Sequence, residues 1–87
     1  MIYTLYLTKQ AHKDLQRIKE MGLQNKVDAL LKKVRVDPYC TTPPYEKLVG
    51  NLKGAYSRRI NIKHRLVYAV DDNEKYIKVL RLWSHYE

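Results

Sequence analysis

One cysteine, Cys40, stands in the sequence, so no disulfide can form within the chain and no cysteine-based zinc spacing exists. Such usage fits a reducing compartment. Phenylalanine is absent, which leaves the aromatic roles to eight tyrosines and one tryptophan. No apolar run approaches the roughly 20 residues that a membrane-spanning helix needs. Met1-Ile2-Tyr3 opens directly on strand-like sequence, so no signal peptide and no membrane anchor are expected, and the predicted location is cytoplasmic. Glycine and proline are scarce, at three each, and Pro38, Pro43, Pro44, Gly50 and Gly54 all fall in one interval. Acidic residues are short as well, 9 against 17 Lys plus Arg, for a formal net charge of +8.

What remains is enough for one domain covering residues 1–87, with 45% hydrophobic residues to form a core. A small domain with this excess of cations is drawn to nucleic acid or another anionic surface by its long-range field. Tyrosine and tryptophan offer flat faces that stack on bases, and they serve equally as core filling.

Ile2 to Leu7 reads as a strand. Thr8 is a suitable N-cap for a helix starting at Lys9, and Ala11, Leu15 and Ile18 form one apolar stripe. Gly22 is placed to end it. Leu23, Val27, Leu30, Leu31 and Val34 repeat at helical spacing until Asp37-Pro38 stops the second helix. The interval from Pro38 to Gly54 predicts a long loop, of the kind that often carries function. Three strands follow, about Tyr56–Ile60, Arg65–Val70 and Lys75–Trp83, with a turn at Asp71-Asp72-Asn73. The order predicts an α+β fold: an N-terminal strand and a helical hairpin packed on a twisted antiparallel β-sheet. The first strand must return to this sheet, at an edge or beside a distant strand.

The stretch from Gly54 to Val70 organises the rest, because it carries Arg58, Arg59, Lys63, His64 and Arg65 within a β-rich run. Alternation puts Leu66, Tyr68 and Val70 on one face and Arg65, Val67 and Ala69 on the other. Ile77, Val79, Arg81, Trp83 and His85 share a face of the last strand. With helices covering one side of the sheet, Arg65, Arg81 and His85 are candidates for the open side. Ser57 and Asn61 give no burial contrast to decide between Arg58 and Arg59. Each residue has a plainer reading. Arg65 serves equally as an edge-strand charge, Arg58 or Arg59 as a partner of Asp71 or Asp72, and Glu46 as a surface carboxylate. His12 and His64 read as surface residues, and His85-Tyr86-Glu87 as a chain end. Trp83 should anchor the last strand.

A carboxylate, arginines and a histidine suit one reaction on RNA, in which the 2′-hydroxyl attacks the adjacent phosphate and expels the 5′-oxygen. That chemistry needs a base, cations for the charge gathering on phosphorus, and an acid for the leaving oxygen. Glu46 could be the base and His85 the acid. Arg65 could hold the phosphate, reinforced by Arg59 or Arg81, and Tyr86 could stack on a base or position the phosphate. A basic RNA-binding module without catalysis, or a co-repressor subunit serving only a partner and DNA, would need the arginines but not Glu46 and His85 together.

Tyr45-Glu46-Lys47-Leu48, Asn51-Leu52-Lys53-Gly54, Tyr56-Ser57-Arg58-Arg59-Ile60, His64-Arg65-Leu66-Val67-Tyr68 and the terminal Trp83-Ser84-His85-Tyr86 together resemble the YoeB/Txe toxins of the RelE superfamily. The resemblance spans the chain and is most specific from Glu46 to Tyr86. It implies a RelE-like fold and a ribosome-dependent messenger-RNA endoribonuclease, the toxin of a bacterial type II toxin–antitoxin pair, acting in the ribosomal A site without a metal or cofactor. It puts the general base on Glu46, the phosphate-binding arginine on Arg65, the general acid on His85 and the terminal aromatic on Tyr86, with Arg59 as an added contact. Arg58 and Arg81 are further candidate contacts. Val49-Gly50 departs from the basic residue expected near the glutamate, a place that Lys47 or Lys53 could fill. The implied partners are a cognate antitoxin with an acidic, partly disordered segment, the ribosome with its message, a second copy in a homodimer, and operator DNA through the antitoxin complex only.

Overall fold

A computed structural model of the chain describes residues 3–41, 44–48 and 54–83. The elements run β1 (Thr4–Leu7), α1 (Lys9–Glu20), α2 (Gln24–Val36), β2 (Tyr45–Lys47), β3 (Ala55–Arg59), β4 (Arg65–Asp71) and β5 (Tyr76–Arg81). They form two layers, a helical hairpin on one face of a five-stranded sheet ordered β1-β5-β4-β3-β2. The expected α+β class is therefore observed. The sheet is antiparallel except at β1, which takes an edge position and pairs in parallel with β5. No helix among the described residues is long and apolar enough to cross a membrane.

Local chemistry accounts for the boundaries. Thr8 caps α1 by accepting from Ala11 N at 3.1 Å, and its hydroxyl also reaches Leu80 O at 3.2 Å, tying the helix start to β5. Gly22 supplies the left-handed backbone after α1, at φ 74, where a side chain would strain. Asp37 caps the end of α2 in extended conformation before Pro38. Lys75, also left-handed at φ 57, closes the β4–β5 turn, so β5 begins at Tyr76.

The core lies between the layers. Ala11, Ile18, Val27, Leu30 and Val34 from the helices meet Leu66, Tyr68, Ile77, Val79 and Leu82. Trp83 and Val70 pack at its margin, so the expected anchoring role of Trp83 holds. A smaller cluster of Leu48, Ala55 and Val67, with Leu80, sits on the other side.

Two polar features hold the layers in register. Asp14 is buried on the inner side of α1 and accepts from Arg81 Nε at 2.8 Å and Leu82 N at 3.0 Å. Burial pushes its carboxyl up, but hydrogen bonds from Arg81, Leu82 and Gln10 outweigh this and hold it below its ordinary value. Asp72 accepts from the Tyr3 hydroxyl at 2.7 Å and the Tyr39 hydroxyl at 2.8 Å. Those two bonds hold Asp72 low and raise the Tyr3 phenol, while Tyr39 is raised first by burial and then by its bond to Asp72.

The chief difference from the sequence reading is β2. The interval expected to be a loop contains a three-residue strand that adds an edge to β3, pairing Tyr45 with Arg58, Glu46 with Ser57 and Lys47 with Tyr56. Three residues directly after Pro43-Pro44 show too little alternation to announce a strand. The exposed edge of β3 supplies the hydrogen bonds that make one.

Candidate active site

Glu46 is fixed by that short strand. Register carries it across β3 at Ser57 to β4 at Val67, beside the point where Arg65 begins the strand. Arg65 Nη1 donates to Glu46 Oε1 at 2.7 Å and to Ser57 Oγ at 3.1 Å. The arginine side chain is 22% exposed and the carboxylate 62%, so the guanidinium is seated in the sheet and the glutamate stands toward solvent. Arg59 lies directly opposite Arg65 in the β3–β4 ladder. Pro44, Glu46, Arg59 and Arg65 line a cleft of about 510 Å³ at this end of the sheet. Like charges facing each other across a strand pair repel. An anion between them relieves that repulsion, and a phosphate offers oxygens to both forks.

The structure thus brings three of the predicted residues, Glu46, Arg59 and Arg65, to one cleft. Lys53, His85 and Tyr86 lie outside the described residues. Two further candidates need correction. Arg58 is fully buried, at 0% exposure, because alternation turns it to the helical side. Its Nε donates to the Tyr68 hydroxyl at 2.8 Å and its Nη2 to Pro38 O at 2.9 Å. Its guanidinium lies 4.9 Å from the Tyr45 ring centroid, in a cluster with Tyr39, Tyr56 and Tyr68. It is a structural cation that ties Pro38 and Tyr45 to the sheet and is not available to substrate. The Asp72 carboxylate accepts instead from the Tyr3 and Tyr39 hydroxyls.

Arg81 is the second correction. The β4–β5 ladder shifts register between Val67 and Tyr68, pairing them with Arg81 and Val79. Leu80 is the extra residue, and beyond it Leu82 joins Ile77 and Val79 in the core. Simple alternation does not foresee that break. Arg81 reaches α1 and its ion pair with Asp14, rather than standing free beside Arg65.

Ser57 is the residue that sequence reasoning missed. It is fully buried, and its hydroxyl accepts from Arg65, setting the direction of the guanidinium. The signal lay in its register with Glu46, readable only once β2 is recognised as a strand. His64, read as a surface residue, is buried at 2% exposure and stacks on Trp83 with centroids 4.0 Å apart and planes 19° apart.

A helical hairpin on one face of such a sheet, with a carboxylate and an arginine paired at the sheet's end, places the molecule among the small toxins of YoeB/RelE-type fold. The chain belongs to the YoeB-like toxins of bacterial type II toxin–antitoxin systems, whose family model matches residues 7–86. It is 38% identical over 65 residues to the toxin YoeB of Synechocystis, covering 75% of this chain and 73% of that one. Among solved structures it resembles the YoeB–YefM complex of Staphylococcus aureus, with TM-score 0.79 and 37% identity over 99% of this chain and 100% of that one. The YoeB dimer of the same organism gives TM-score 0.79 and 34% identity over 99% and 100%.

Proposed function

We propose that this toxin is a ribosome-dependent endoribonuclease that cuts messenger RNA by metal-independent acid–base chemistry. The observation that carries the reading is the Arg65–Glu46 pair in a cleft shared with Arg59. A message entering the cleft exchanges its phosphate for Glu46 as the partner of Arg65, which frees the carboxylate. Glu46 then takes the proton of the 2′-hydroxyl, and that oxygen bonds to phosphorus. Arg65 and Arg59 balance the charge gathering on the phosphate oxygens. The bond to the 5′-oxygen breaks as His85 gives that oxygen a proton, leaving a 2′,3′-cyclic phosphate. Tyr86 stacks on a neighbouring base, and Lys53 adds a further cation.

The same basic surface suits an antitoxin with an acidic segment, by charge complementarity. The solved YoeB–YefM complex from Staphylococcus aureus supports a partner of that kind, and the solved YoeB dimer supports a homodimer. Binding to operator DNA runs through the antitoxin complex. The test is expression in growing cells with mapping of message ends. Codon-phased cuts in the wild type that vanish in Glu46→Gln and His85→Gln support the reading. Cuts that persist at full rate in either variant remove that residue from its role, and no cuts in the wild type leave a binding protein.

A further inference from the structure

On the reading of RNA cleavage given above, on which this rests, we infer that the groove between α2 and the end of β3 is a nucleotide subsite. It takes the base and phosphate of the message nucleotide next to the one that is cut. Lys26, Ala29, Leu30 and Lys33 of α2 line this groove of about 330 Å³ together with Arg59 and Ile60. Their spacing, i, i+3, i+4 and i+7, puts all four on one side of the helix. Asp28, the one acid of α2, falls two residues from Lys26 and hence on the opposite side. The groove is therefore rimmed by three cations and no carboxylate.

Floor and rim differ in chemistry. Leu30 and Ile60 are buried members of the main core, so the floor is a fixed apolar surface. Lys26, Lys33 and Arg59 are exposed, and none of them has an ion-pair partner among the described residues. A flat base covers apolar carbon while its phosphate takes the cations, the arrangement by which single strands are held. Arg59 also lines the cleft that holds Glu46 and Arg65. It is the wall shared by both, so a strand that leaves the cleft past Arg59 enters the groove. An acidic protein segment is the competing occupant. A helix seated in a groove needs apolar anchors over two turns, and a floor of Ala29, Leu30 and Ile60 is too short for them. The volume lies at the low end of small-ligand pockets, about 300–1,000 Å³, the size for one nucleotide.

Binding is read without cleavage. Isotope-labelled toxin is titrated with a fully 2′-O-methylated RNA trinucleotide, which lacks the attacking hydroxyl, and the amide NMR shifts are followed. Shifts at Lys26, Ala29, Leu30, Lys33 and Ile60 are expected to saturate together with those at Arg65. The double variant Lys26→Gln/Lys33→Gln changes two exposed helix positions and should fold as the wild type does. It is expected to lose the α2 shifts and to bind about tenfold more weakly at low salt. Its slope of log affinity against log salt should be smaller by about 0.7 for each phosphate given up. Shifts confined to the Arg65 end, or α2 shifts that persist in the double variant, would overturn the subsite. So would α2 shifts produced by an acidic peptide of equal charge and not by the trinucleotide.

The source of the nucleotide is read in single turnovers on ribosomes carrying a message that the wild type cuts. An abasic nucleotide beside the cut should slow the wild type about tenfold, the usual weight of one stacked base. The double variant, already slow, should lose nothing further. Losses that multiply would overturn the assignment to the message. So would a slow double variant beside a wild type indifferent to an abasic site on either side of the cut, which would mark the groove as a contact with ribosomal RNA. A wild type that binds the trinucleotide over α2 but cuts no message removes the nuclease reading and leaves an RNA-binding groove. A wild type that cuts without α2 shifts removes this inference alone.

Discussion

Arg59 and Arg65 face each other directly across the β3–β4 ladder, two permanent cations at a position where opposite charges or apolar side chains would stabilise the sheet better. Under the proposed function such a placement trades stability for phosphate binding. Arg59→Ala is expected to leave the unfolding midpoint unchanged or slightly raised while lowering message cleavage. A thermal melt and a cleavage assay on the same preparation check both halves, and a clear loss of stability would mean that Arg59 holds the fold.

Glu46 and Arg65 form an exposed ion pair, and such pairs contribute under about 1 kcal/mol. Glu46→Gln should therefore melt close to the wild type. Its cleavage rate should fall by a factor of about 10² or more, the usual contribution of a general base. Far-ultraviolet circular dichroism with single-turnover kinetics tests the pair of outcomes.

Arg58 and Arg65 should separate by experiment, although the sequence places them in one basic run. Arg58→Ala empties a buried site and strips partners from Tyr68 and Pro38, a loss of about 3 kcal/mol or more. Arg65→Ala should leave stability nearly intact and remove cleavage. Urea denaturation of both variants decides, and equal midpoints would contradict the burial of Arg58.

Acid should loosen the joint between α1 and β5. Asp14 titrates below its ordinary value of 3.8 in the folded chain. Its stabilisation is therefore present above the unfolded value and fades as pH falls through the lower folded one. Asp72 is depressed as well and adds in the same direction. Asp14→Asn should cost about 2 kcal/mol near neutrality and show a shallower fall in stability below about pH 4. Denaturant midpoints measured at several pH values would show this as converging curves, and parallel curves would refute it.

Much of this molecule is legible from periodicity and caps. The stripe of Ala11, Leu15 and Ile18, the cap at Thr8, the stop at Pro38 and the alternation of Leu66 and Tyr68 against Arg65 and Val67 are local signals, and they describe what is observed. What escapes is long-range. β2 exists because β3 offers an edge, and Ser57 matters because β2 brings Glu46 opposite it. Arg58 is buried among Tyr45, Tyr68 and the Pro38 carbonyl, which no feature of Arg58-Arg59 itself announces. The bulge at Leu80 breaks the alternation of β5, so Arg81 does not follow Ile77 and Val79 and ends in an ion pair with Asp14. Glu46, Arg59 and Arg65 were legible as a set through charge and family resemblance, but the contact between Glu46 and Arg65 required the sheet.

The parallel pairing of β1 with β5 bears on how the protein is born. Domains tend to fold as units once their segments have emerged from the synthesising ribosome. Here β1, α1 and α2 come out first, yet the strand beside which β1 must lie is the last one made, and contacts so distant along the chain form slowly. A nascent chain cannot complete this sheet while β5 is still within the exit channel. The sheet is thus closed only once β5 has emerged, so no partly made chain that lacks β5 carries the finished fold.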